Sequence, residues 1–330
     1  MVTVVTEGKA NSPTRVSKLD DIDLKARTLD YTPSVENSAQ KKYFYLWLIL
    51  PAVVVLAAIS LYPFFWLIWM SLNDVGINTS SAFVGFKNFT RLLGDDKFWN
   101  GWQILLTYSA LCLVFEIAIG VFIAVVINGT RFENILVTIF LMPMMMAPAI
   151  AGLIWYFLFN STFGWYHWFL HSIGVLGDTS IIGSTDTALF GLVIVDIWQW
   201  TPLITLITLA GMKRVPRDQL EANMVDGANA FSNFIQITLP NIYPFLLIGI
   251  MLRFMDNFRF IDVIIALTGG GPADSTNILP VYLFEVSFRY FKLGRGAAIA
   301  LTLLVVTIIL GKILVRVFEG PASKRIDMGN

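Results

Sequence analysis

Charge is what this sequence has least of. Only 14% of its 330 residues are Asp, Glu, Lys or Arg, and the two signs cancel, 23 against 23. A balanced charge leaves no electrostatic footprint for nucleic acid, so no nucleic-acid partner is expected. So little charge, beside 56% hydrophobic residues and a mean hydropathy of +0.69, excludes an ordinary soluble domain and points to a polytopic membrane protein in contact with lipid. Cysteine is almost missing. Cys112 alone excludes an intrachain disulfide and a thiolate metal cluster. Histidine occurs twice, at His167 and His171. Their spacing suits one helix face, but no third ligand stands near, so no metal site is expected. There is no G-x-x-x-x-G-K-[ST] phosphate loop, no His-Glu-x-x-His pair and no nucleophile elbow. No catalytic residues and no cofactor are therefore expected in this chain. The polar first 43 residues offer no apolar h-region for a cleavable signal peptide.

What is present is a series of long apolar runs. A bilayer core needs about 20 residues of helix. Runs of that length fall at 44–72, 103–127, 135–159, 188–211, 241–267 and 296–318. The reading is an all-α polytopic protein of six transmembrane helices over residues 44–318. A polar, mostly disordered tail at 1–43 precedes it, and a charged tail at 319–330 closes it. Even-numbered spans place both termini on one side. That side carries fifteen Lys and Arg against six on the other, namely Lys87, Arg91, Lys97, Arg289, Lys292 and Arg295. The positive-inside rule makes the richer side cytoplasmic, so both termini and the stretch at 212–240 are expected in the cytoplasm.

That stretch is a polar island between two apolar runs. Pro216 suits a helix start, and Asp218 and Glu221 place negative charge near its N-terminus. Gly227 permits a turn or a close backbone approach. A second short helix at 228–237 would align Phe231, Phe234, Ile235 and Thr238 as one stripe. Read on its physics alone, this is either a connecting hairpin at the membrane surface or a knob that docks something.

Glu221-Ala222, Gly227 six residues after the Glu, and Ile237-x-Leu239-Pro240 resemble the EAA loop of ABC-importer permeases. Asn223 departs from the pattern, which usually has a second Ala there. Asp226-Gly227-Ala228 resembles the carbohydrate subgroup. Similarity to maltose- and glycerol-phosphate-type permeases extends over about 44–318. It includes Tyr62-Pro63, Ser71-Leu72-Asn73, Phe83-x-Gly85-Phe86-x-Asn88-Phe89, Gly120, Ala124, Ile197-Trp198 and Leu267-Thr268-Gly269-Gly270-Gly271-Pro272. The resemblance implies the type I ABC-importer permease fold in a bacterial inner membrane. It implies that Glu221, Ala222, Asp226, Gly227, Ile237, Leu239 and Pro240 form the coupling element of a transporter without an ATPase site of its own. The implied partners are a second homologous permease, two ATP-binding cassette subunits that hold Mg-ATP, and an extracytoplasmic solute-binding protein. Cargo would be a sugar, oligosaccharide or polyol.

Six charged residues lie inside the first five runs: Glu116, Asp196, Arg253, Asp256, Arg259 and Asp262. Each costs on the order of 2.5–3.5 kcal/mol at a helix centre. They should pair or face a water-filled path, and spacing suggests Arg253 with Asp256 and Arg259 with Asp262. Asp196 lies about 12 Å inside its run, a depth that Asp256, Asn257 and Phe260 can share. The resemblance implies cargo contacts by Met144, Pro148, Asp196, Gln199, Trp200, Leu203, Asp256, Asn257 and Phe260. Residues alone leave open an ion-coupled transporter using the intramembrane acids, or a non-transporting membrane scaffold.

Overall fold

The computed structural model describes residues 38–326 apart from 78, 175, 176 and 178. The expected tail at 1–43 falls mostly outside the described residues, although the backbone is already helical from Ser38. The chain divides into two units, residues 1–63 and 64–330. Helix α1 (Ser38–Ser71) contains Pro51 and Pro63 and runs from the first unit into the second.

In the second unit an antiparallel hairpin follows, β1 (Asn73–Gly76) and β2 (Thr79–Phe83), with Asn73 paired to Phe83. It is a small exception to the all-α expectation. The short helix α2 (Lys87–Leu93) comes next. Asn88 fixes it to the hairpin, because its buried Nδ2 donates to the carbonyls of Ser71 and Asn73 at 2.9 and 3.0 Å.

Helix α3 (Asp96–Ile127) starts seven residues before the expected span. The Asp95 side chain accepts from the Lys97 amide and caps it. At 1.5 Å per residue its 32 residues reach about 48 Å, more than the roughly 30 Å of a bilayer core. Helix α7 (Ala188–Met212) packs along α3. Their approach depends on Gly120, where a Cβ would sit 2.8 Å from the Ile204 side chain.

The third expected span is not one straight helix. It comprises α4 (Glu133–Leu141), a 3₁₀ turn at Pro143–Met145 and α5 (Pro148–Leu158), bent by 94°. Two prolines explain the bend. Neither donates a backbone N–H, and Pro148 biases the residue before it to extended backbone. Met146 and Ala147 are extended, with ψ of 144° and 132°. The fifth span also ends early. Helix α10 (Leu239–Asn257) stops ten residues short of the expected boundary, and α11 (Asp262–Leu267) turns off to pack on α5. Phe258 and Phe260 are buried at this turn and hold it against the core.

The connections after α5 and α11 carry α6 (Trp165–Ser172) and α12 (Leu279–Phe284). The last helix, α13 (Leu293–Ile326), packs on α10, α2 and β1. By length and hydropathy, five described helices can cross a membrane, or six if the bent pair counts as one span.

Candidate functional site

Two places bring the sequence candidates together. The first is the polar island. Helix α8 (Arg217–Val225) follows Pro216, and Gly227 takes φ +86°, a left-handed conformation suited to Gly. Nothing among the described residues lies within 4 Å of a Cβ built there, so the backbone turn is what calls for Gly. Asn229 then caps α9 (Ala230–Asn233) by accepting from the Ser232 amide at 2.8 Å. The second helix, expected over 228–237, does not end there. It passes through a π turn (Phe234–Thr238) directly into α10, so the knob is the extended root of a membrane helix.

The unusual Asn223 has a structural reason. Its Nδ2 donates to Asn233 Oδ1 at 2.5 Å, across the two short helices, and Asn233 is buried. A family-typical Ala could not make this bond. The expected stripe divides. Phe234 and Ile237 pack inward with Leu220 and Leu239 on Ile242 and Val215, while Phe231 and Ile235 face outward. Val225 is 86% exposed, Phe231 74% and Met224 54%. Glu221 and Ala222 are exposed on the same short element, and Glu221 makes no ion pair among the described residues. The knob therefore presents three acids without an ion pair, Asp218, Glu221 and Asp226, beside apolar side chains that nothing among the described residues covers.

The second place is centred on Arg253. The side chains of Arg253, Glu116 and Asp196 are at most 1% exposed. Arg253 Nε and Nη2 donate to both oxygens of Glu116 at 2.8 and 2.7 Å. Nη2 also donates to Asp196 at 2.6 Å, and Nη1 to Asp256 at 3.1 Å. The guanidinium lies 4.8 Å from the Trp200 ring centroid. One cation thus joins α3, α7 and α10. Arg259 pairs with Asp256, at 2.8 Å, and not with Asp262 as the spacing suggested. Once α10 ends at Asn257, Asp262 belongs to a separate helix.

Among the cargo candidates, Asp196, Trp200 and Asp256 meet at this cation. Gln199 Nε2 donates to the Met146 carbonyl at 3.1 Å, tying α7 to the bend that carries Met144 and Pro148. Asn257 Nδ2 contacts Ser109 Oγ at 3.5 Å, and Phe260 is buried in the turn after α10. Leu203 is half-buried one turn further along α7 than Gln199. Glu116 and Arg253 organise this site, yet neither stood among the cargo candidates. The signal for them was their cost: buried opposite charges must find each other. Six buried polar atoms on these helices make no hydrogen bond among the described residues: Tyr108 OH, Asp196 Oδ1, Gln199 Oε1, Trp200 Nε1, Thr201 Oγ1 and Asn257 Oδ1. Each such atom costs about 1–3 kcal/mol, so their concentration at one level marks a place for polar groups from elsewhere.

A third set of charges closes the other end of the bundle. Lys97 pairs with Asp274 at 2.7 Å; this bond, and one from Asn277, hold the Asp274 carboxyl below its ordinary pKa. Arg295 donates to Asp95, which also accepts from Tyr282 OH at 2.5 Å. Burial first, and then that bond, raise the Tyr282 hydroxyl above its usual range. His167 and His171 lie on α6, and no metal-ligating group of three occurs among the described residues.

A multi-helix membrane bundle with a broken span and a two-helix knob is the architecture of an ABC-transporter permease. The backbone matches a chain of a bacterial alginate ABC transporter in complex with an alginate-pentasaccharide-bound periplasmic protein. The TM-score is 0.74 over 86% of this chain and 96% of that one, at 19% identity. Residues 116–320 match the binding-protein-dependent transport system inner membrane components, and the chain belongs to that family. It is 32% identical over 266 residues to the trehalose/maltose transport system permease protein MalF of Thermococcus litoralis, covering 80% of this chain and 88% of that one. It is 26% identical to the trehalose transport system permease protein SugA of Mycobacterium tuberculosis, over 92% and 97% of the two chains. An sn-glycerol-3-phosphate transport system permease protein, UgpA of Pectobacterium atrosepticum, is 29% identical over 82% and 92%.

Proposed function

We propose that this chain is one permease subunit of an ATP-driven importer for a carbohydrate-like solute, powered through the knob at 217–240. The observation that carries the reading is the knob itself, which exposes Glu221 together with Met224, Val225 and Phe231 at the root of α10. Apolar side chains so exposed on a polar loop call for a protein partner. The chain has no phosphate loop, so Mg-ATP belongs to two separate cassette subunits, and a second homologous permease completes the pathway. The knob passes directly into α10, and α10 carries Arg253 and Asp256. A push at the knob therefore reaches the polar level without crossing a loop. In this reading both termini are cytoplasmic, and an extracytoplasmic binding protein delivers cargo to the opposite face.

The carbohydrate assignment draws on the sugar names of the relatives and on the chemistry of the polar level. Trp200, Asp196, Gln199, Asp256 and Asn257 offer an aromatic face with carboxylate and amide partners for hydroxyls. Arg253 is saturated by three carboxylates, which favours a neutral solute over an anionic one. The same saturation disfavours a proton-coupled transporter, since the acids it would need are held in ion pairs.

The test is co-purification under mild detergent. A cassette ATPase should elute with the wild-type chain and be lost with Val225→Asp and Phe231→Asp together. Proton-driven uptake by this chain alone in proteoliposomes would overturn the reading.

A further inference from the structure

A cleft of about 600 Å³ opens between β1, α2 and the start of α13, away from both sites above. Asp74, Gly76 and Ile77 form one wall, Asn88 and Arg91 the second, and Tyr290, Phe291, Lys292 and Arg295 the third. The walls are fixed in place. Asn88 joins α2 to β1 by its two buried hydrogen bonds. A Cβ on Gly294 would fall 2.2 Å from the Asn73 carbonyl oxygen, so α13 lies directly against the hairpin. Phe291 takes φ +54°, and the turn it makes brings Lys292 to the cleft.

Three cations line this space against one acid. Arg295 is bonded to Asp95 and Tyr282. Arg91 and Lys292 have no acidic partner among the described residues, and Asp74 pairs with neither. The cleft thus has an uncompensated positive charge with two free donors. Its surroundings set its depth. Phe83, Phe86, Tyr290 and Phe291 are 76%, 73%, 51% and 46% exposed around it. The membrane-crossing stretch of α13 begins at Leu293, the residue after Lys292. Cations with exposed aromatic neighbours at the head of a membrane helix define the headgroup level.

We propose that this cleft holds the phosphate of an anionic phospholipid headgroup in the outer leaflet, with Arg91 and Lys292 as its charged partners. The exposed aromatics and the depth favour lipid over an acidic protein surface, which would need no apolar rim. The leaflet assignment rests on the orientation proposed above; the phosphate site itself does not.

The experiment uses the full chain in nanodiscs of phosphatidylcholine with and without phosphatidylglycerol, followed by mild delipidation and mass spectrometry of the retained lipid. Phosphatidylglycerol should be retained preferentially. Arg91→Ala with Lys292→Ala should lower that preference about thirtyfold, the factor for two cations near a membrane surface. The thermal stability of the double variant in pure phosphatidylcholine should match the wild type, which separates lost lipid from lost fold. Unchanged retention by the double variant, or equal retention of the two lipids by the wild type, overturns the proposal. Stabilisation by inorganic phosphate with none from phosphatidylglycerol assigns the cleft to a soluble anion and also overturns it. Displacement of phosphatidylglycerol by an acidic extracytoplasmic protein does the same. The readout does not involve transport, so failure of the importer reading leaves it intact. Ser81→Cys labelling from one side of sealed vesicles tests the leaflet separately.

Discussion

Replacing Arg253 by Met should be among the most damaging single changes in the bundle. The guanidinium donates four hydrogen bonds to three carboxylates. Met keeps much of the volume and removes every donor. Glu116 and Asp196 would then remain as two buried carboxylates with no cation between them, while Asp256 keeps Arg259. Escape requires neutralising one of the two. Each pH unit between pH 7 and an ordinary carboxyl pKa costs about 1.4 kcal/mol, so that step costs about 4 kcal/mol for either acid. The figure agrees with the roughly 3–5 kcal/mol lost when a buried pair is broken from one side. It is a large share of the about 5–15 kcal/mol of a typical domain. The assay is reversible denaturant unfolding of the detergent-solubilised chain at pH 7. Arg253→Met should lose about 4 kcal/mol. Combining it with Glu116→Gln should return about half, because the buried charge then falls back to the wild-type excess of one carboxylate. A single variant within about 1 kcal/mol of wild type would refute the reasoning, as would a double variant no more stable than the single.

Three further outcomes follow from the geometry. Gly227→Val should loosen the knob by about 1–3 kcal/mol, because φ +86° is strained for a β-branched residue; Gly227→Asn should be milder, and hydrogen exchange over 217–229 reads both. Asn223→Ala should raise exchange in α9 by the loss of one partly buried bond, about 1 kcal/mol, while cassette binding persists, since Asn223 is half-buried behind the exposed face. Asp274 has a depressed pKa, so its link to Lys97 stabilises above the unfolded-state pKa and is lost as pH falls through the folded one. The stability gap between wild type and Asp274→Asn at pH 7 should therefore close below about pH 4.

Much of this was legible from residue order. Long apolar runs located the helices, and the Glu-Ala, Gly, Ile-x-Leu-Pro spacing located the knob. What hydropathy could not register was direction. The run at 135–159 is uniformly apolar, yet Pro143 and Pro148 turn it through 94°. The run at 241–267 is apolar enough to be continuous, yet it breaks after Asn257, where Phe258 and Phe260 gain burial by turning inward. Pairing was legible only within one helix. Spacing along the run at 241–267 suggested Arg259 with Asp262, but Arg253 found its main partners 137 and 57 positions away, on α3 and α7. The Asn223–Asn233 bond was hidden for the same reason, since it joins two helices whose angle is set by Gly227.

The central claim is that the knob transmits the work of a separate ATPase, and the most direct measurement is stimulation of that ATPase by the loaded binding protein in the fully reconstituted transporter. Substituting Glu221→Arg should leave the subunits assembled and the polar level unchanged, since Glu221 is exposed and makes no ion pair among the described residues. The account predicts that cargo-loaded binding protein no longer raises ATP hydrolysis and that uptake fails with it. Stimulation and uptake at wild-type levels in that variant, and in Gly227→Trp, would contradict it.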